Sequence, residues 1–151
     1  MSQETVQLAL AEPQSPLTLC IHGEQDQHVS KSLRETAVWE PFESRLILER
    51  LQRGATFVDV GANIGYYAIP LAYHLKNQNV TVHAFEPVST NFDSLTKGII
   101  RNNLENNIVS NKIALGNEVG EIEILVTEGG NSGNAVMSFN DSEFNANHKK
   151  E

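Results

Sequence analysis

Phe57-Val58-Asp59-Val60-Gly61-Ala62-Asn63-Ile64-Gly65-Tyr66-Tyr67 is the stretch that decides the fold. Its first four residues read as a short buried strand, with β-branched Val58 and Val60 on either side of Asp59. Gly61 and Gly65 then bracket a turn where backbone must come close to something. Beyond the turn the period changes: Ile64, Tyr67, Ala68, Leu71 and His74 fall at helical spacing. A strand, a glycine turn and a helix form the usual cradle for a nucleotide-like ligand at the carboxyl end of a sheet strand. Working outward, Val80 to Phe85 is a second apolar strand that ends on Glu86. Glu86 stands 21 residues beyond Gly65, near the spacing of about 20 at which an acidic residue meets a ribose diol in doubly wound folds.

Upstream, residues 1–25 form a polar lead-in and a short strand at Leu17 to Ile21, and 23–27 is a turn. Ser30 or Ser32 caps a helix, and Pro41 divides the helical pattern in two. The second piece, Phe42 to Leu51, sets Leu46, Ile47 and Leu51 on one face, and Gly54 stops it. The helix after the glycine turn is expected over 64–76, with Pro70 in its second turn. A further helix spans Ser89 to Asn103, capped by Ser89, Thr90 or Asn91, with Phe92, Leu95 and Ile99 on its apolar face. Ile108 to Leu115 and Glu121 to Thr127 read as a hairpin joined at Gly116 to Gly120. From Gly129 the chain is a flexible polar tail. The order β-α-β-α-β predicts an α/β fold with a parallel sheet, over a domain spanning residues 26–128.

The 151 residues suffice for one domain with a real core. A net charge of −8 disfavours nucleic-acid binding and attachment to an anionic membrane. Cys20 is the single cysteine, so no internal disulfide forms; with no basic, apolar leader, a cytoplasmic location is expected. The five histidines are too scattered for a metal site and read as structural, and Tyr66 and Tyr67 read as packing residues.

A dinucleotide turn wants G-x-G-x-x-G so that backbone can approach a pyrophosphate. Here a side chain, that of Asn63, occupies the middle position. Asp59 would also put negative charge beside a phosphate, whereas it suits a cationic ligand such as S-adenosylmethionine. Singly, Asp59 reads as well as a turn cap and Glu86 as a solvated strand end; the pair at this spacing reads as a site.

Asp59-Val60-Gly61-Ala62-Asn63-Ile64-Gly65, Ala84-Phe85-Glu86-Pro87, Arg101-Asn102-Asn103 and Ala114-Leu115-Gly116-Asn117 together resemble the FkbM-type family of class I methyltransferases. The resemblance runs from about 26 to 138 and implies a Rossmann-like fold that binds S-adenosylmethionine. It implies that Asp59, Gly61, Ala62, Asn63 and Gly65 surround the methionine part. Glu86 would accept both ribose hydroxyls, Phe85 and Pro87 would border the adenine, and Ile113-Ala114 would lie at its other edge. Glu40 is expected to reach the ammonium group.

The family's next acidic strand end, a pattern like K-x-D-x-E-G, does not occur before Glu151. The chain is therefore expected to carry the cofactor-binding half, truncated after three parallel strands and a hairpin. The strand at 55–60 would then be an open edge, covered by a second copy or a complementing chain. The activity implied is O-methylation of a sugar or natural-product hydroxyl, with a small-molecule or glycan acceptor. A non-catalytic binding remnant and an NAD-dependent oxidoreductase domain are the alternatives, and no residue is assigned as general base.

Overall fold

The computed structural model describes residues 4–8, 17–24, 26, 28–127, 136–137 and 148–150. Its centre is a parallel sheet of β3 (Thr56–Val60), β4 (Thr81–Phe85) and β5 (Ile108–Asn111), in the order β3-β4-β5. Between β3 and β4 lies helix α3 (Ala68–Leu75), and between β4 and β5 lies α4 (Ser89–Arg101). This is the α/β, Rossmann-like arrangement expected of the alternating pattern.

Register explains which residues are buried. Asp59 pairs with Ala84, which pairs with Ser110, and Phe57 pairs with Val82, which pairs with Ile108. Val82, Ala84 and Ile108 on that face join one core with Ile69 and Leu71 of α3 and Leu95 and Ile99 of α4. Each fully buried aliphatic side chain there contributes about 1.5–3 kcal/mol. The opposite face holds Val58, Val60 and Val109, exposed by 49%, 63% and 46%. Among the described residues β3 is paired on one side only, so the open apolar edge read from the sequence is present.

The N-terminal residues are part of this body. Strands β1 (Thr5–Gln7) and β2 (Thr18–Cys20) pair antiparallel, extending the lead-in's single expected strand to two. β2 lies on α4, where the Asn102 amide imitates a neighbouring strand. Its Oδ1 accepts from the Thr18 N–H at 3.0 Å and its Nδ2 donates to the Thr18 carbonyl at 2.8 Å.

Helices α1 (Val29–Thr36) and α2 (Pro41–Arg50) stand where Pro41 was expected to divide them. Pro41 opens α2, where its missing N–H costs nothing. Asp26, rather than Ser30 or Ser32, holds the start of α1. Its carboxylate accepts from the His28 N–H, the Ser30 N–H and the Ser30 hydroxyl. On α2 it is Ile47, Leu48 and Leu51 that turn to the core, while Leu46 is exposed.

Three boundaries differ from expectation. The helix after the glycine turn begins at Ala68, because the turn continues through Tyr67; Pro70 thus sits in the first turn, where it skips one bond between the Ile69 N–H to Gly65 carbonyl and Leu71 N–H to Tyr67 carbonyl contacts. The expected hairpin between β5 and 121–127 is not formed. β6 (Ile124–Thr127) instead pairs antiparallel with β7 (Val136–Met137) and β8 (His148–Lys150), as the intervening 112–123 is twelve mostly exposed residues, too long for a tight turn. β7 and β8 fall in the stretch expected as a tail; the remainder of that stretch lies outside the described residues.

Candidate functional site

The glycine turn leaves the end of β3 with Gly61 at φ +80°, Asn63 at +50° and Gly65 at +90°. Gly61 meets open space, so its need for glycine is conformational. At Gly65 a Cβ would come within 2.6 Å of Leu95 Cδ1 and 2.9 Å of Ile69 Cδ1. Gly65 therefore also lets the turn press onto α3 and α4.

The turn is bolted to β4. The Gly61 and Ala62 N–H groups donate to the Phe85 carbonyl at 2.9 and 3.0 Å, and the Gly65 N–H donates to the Ala62 carbonyl at 2.8 Å. The Asn63 N–H donates to Glu86 Oε2 at 2.8 Å. These four donors would face an anion in a phosphate-binding loop, and here each is spent internally.

Glu86 is 4% exposed. Its Oε1 accepts from the Val88 N–H at 3.0 Å and from Asn91 Nδ2 at 3.3 Å. A carboxylate offers about four acceptor positions; three are taken, and the remaining one is on Oε2. Asp59, 8% exposed, lies one strand away, and its Oδ2 is buried with no hydrogen-bond partner. Burial pushes its carboxyl up from 3.8 to about 6; the Ala68 N–H opposes that rise and the Glu86 charge adds to it. Asn63 Oδ1 is likewise buried and unpartnered. Asp59 Oδ2 and Asn63 Oδ1 are thus two buried acceptors without a donor, close to the second carboxylate, that of Glu86, and what would satisfy them is a hydrogen-bond donor with positive charge. An ammonium and hydroxyl groups supply both; a phosphate supplies neither.

The other expected residues gather less tightly. Phe85 and Pro87, half-buried, flank Glu86, and Phe85 anchors the turn through its carbonyl. Ala114, half-buried, follows β5 at the carboxyl end of the sheet. Glu40 begins α2 in a left-handed conformation, φ +43°, and its carboxylate accepts from the Tyr67 hydroxyl. The Trp39 N–H donates to the Tyr66 hydroxyl at 3.0 Å. Tyr66 and Tyr67 thus fasten residues 39–40 to the glycine turn, beyond the packing role read from sequence. Burial, then the Glu40 carboxylate, push the Tyr67 hydroxyl well above the usual tyrosine range. Asn91, expected as a helix cap, instead turns its amide to Glu86, and no spacing rule signals this.

The family model for the methyltransferase FkbM domain matches residues 59–151, more than half the chain. The chain belongs to the FkbM methyltransferase domain family. A curated relative, the 31-O-demethyl-FK506 methyltransferase FkbM of Streptomyces tacrolimicus, is 32% identical over 102 residues. That alignment covers 66% of this chain and 38% of the relative, so this chain spans well under half the relative's length. Among solved structures, TYW2 of P. horikoshii in complex with MeSAdo is similar at 17% identity and a TM-score of 0.46, over 73% of this chain and 37% of that one. Among the described residues no helix is long and apolar enough to cross a membrane, and no cluster of three or more His, Cys, Asp or Glu side chains could hold a metal ion.

Proposed function

We propose that this chain binds S-adenosylmethionine in the glycine turn and serves methyl transfer to a hydroxyl oxygen of a sugar or natural product. The observation that carries the reading is the pair of buried carboxylates at the ends of β3 and β4, with Asp59 Oδ2 and Asn63 Oδ1 lacking partners. Asp59, Gly61, Ala62, Asn63 and Gly65 surround the methionine moiety, and Asp59 pairs with its ammonium. Glu86 receives a ribose hydroxyl at its remaining acceptor position, with Phe85, Pro87 and Ala114 at the adenine. Glu40 stands by the turn, held there through Tyr67.

The cofactor supplies an activated methyl on a sulfonium. The chain's own residues orient it and keep negative charge at its cationic end, which is positioning and electrostatics rather than covalent chemistry. The acceptor is a small molecule or glycan, not a nucleic acid or membrane, and the site of action is the cytoplasm. The uncovered face of β3 favours a second component to the reading: the active form has that edge covered, by another copy or a complementing chain.

Calorimetric titration of the chain with S-adenosylhomocysteine, with Glu86→Ala and with NAD as controls, tests the reading. Binding that is lost in the variant and absent for NAD is expected. A folded chain that does not bind S-adenosylhomocysteine, or that binds NAD instead, would remove it.

A further inference from the structure

Glu86 does not hold its orientation alone. Its Oε1 accepts from Asn91 Nδ2, so the Asn91 carbonyl oxygen faces away, and there it lies 2.8 Å from His22 Nε2. An amide oxygen only accepts, so His22 Nε2 carries the proton in this contact. Asn91 is 2% exposed, and in so dry a place each link is worth more than at the surface.

His22 is itself fixed from three sides. Its backbone N–H donates to Ser30 Oγ at 3.1 Å, and Ser30 Oγ donates to the buried Asp26 carboxylate at 2.7 Å. Its carbonyl accepts from Arg34, whose guanidinium also grips Glu4 at 2.6 and 3.0 Å. Ser30 and Arg34 of α1 thus converge on the backbone of one histidine just beyond β2, and its ring ends the chain of contacts leading to Glu86. All of these residues lie before position 59, where the family match begins.

We propose that His22 is a positioning residue: acting through Asn91, it holds the Glu86 carboxylate with its open acceptor position toward the ribose, so that residues 17–34 complete the cofactor site. The proposal rests on the ribose role of Glu86 argued above. Without the His22 contact the Asn91 amide is held less firmly, and of the two donors at Glu86 Oε1, the Val88 N–H and Asn91 Nδ2, the second loosens.

The test compares the full chain with His22→Leu, His22→Gln and Glu86→Ala, using S-adenosylhomocysteine by calorimetry. Adenosine and 2′,3′-dideoxyadenosine then compete for the site. His22→Leu is expected to weaken S-adenosylhomocysteine roughly tenfold and to collapse the preference for adenosine over its dideoxy form toward that of Glu86→Ala. His22→Gln, whose amide can donate to the same oxygen, restores the preference. A general loss of structure would weaken both nucleosides alike and leave the preference standing. Where His22→Leu does not fold, Asn91→Ser breaks the same relay and is expected to give the same collapse. A His22→Leu chain, or an Asn91→Ser chain in its place, that keeps the wild-type preference while Glu86→Ala loses it overturns the relay alone. Wild-type behaviour of Glu86→Ala overturns the ribose reading and the relay with it.

Discussion

Asp59 is a carboxylate in a place that disfavours its charge. Its pKa is raised from 3.8 to about 6 by burial foremost. A raised folded-state value means the group favours folding fully below about pH 4, and that this contribution is lost as pH rises through 6. Above pH 7 the buried charge costs about 3 kcal/mol. Asp59→Asn should therefore melt higher than wild type at pH 7.5 and show no such advantage at pH 4, a pattern that differential scanning calorimetry reads directly. The same variant should bind S-adenosylhomocysteine more weakly, since an ammonium gains little from an amide. Wild-type affinity should rise between pH 5 and 7 as Asp59 ionises; the variant's should lack that rise. On the proposed reading, stability is given up at this residue and a ligand's ammonium would restore it. Asp59 and Glu86 were legible in the sequence because strand, glycine turn and spacing identify them jointly. His22, Asn91 and the Tyr67–Glu40 contact were not, since each depends on which rotamer meets which neighbour across 5 to 69 residues, and no local period records that.

The elements divide in the same way. β3, β4, α4 and the turn are set by apolar periodicity and by glycine, both local signals, and they formed where expected. The boundaries that moved did so for tertiary reasons. α3 starts late because Gly65 at φ +90° is still part of the turn, and β6 found β7 and β8 because strand pattern alone does not choose a partner. The packing of turn on helix depends on Gly65 in two ways, conformation and space. Gly65→Ala should cost roughly 3 kcal/mol, from left-handed strain together with overpacking against Leu95 and Ile69. Gly61→Ala, which meets no atom within 4 Å, should cost about 1–2 kcal/mol from strain only. Urea denaturation of the two variants side by side separates the contributions.

At the scale of the molecule, and among the described residues, one face of the parallel sheet is packed and the other leaves Val58, Val60 and Val109 exposed. Val58 and Val60 stand exposed on a strand with an unpaired side, an arrangement that proteins rarely leave uncovered. The chain is expected to self-associate with rising concentration in sedimentation velocity, and Val58→Lys should shift it toward the monomer while leaving its melting temperature within a few degrees. Equal sedimentation of the two would place the contact elsewhere. On the closed face, the Asn102 amide that pairs with Thr18 joins residues 84 positions apart. That bond gives the fold a schedule. During synthesis the β1–β2 pair emerges ahead of α4, yet its seat there does not exist until Asn102 has left the ribosome, two strands of the parallel sheet later. The N-terminal segment must wait unseated through that interval, and a chain released before position 102 would carry the cradle's strands with nothing to close them.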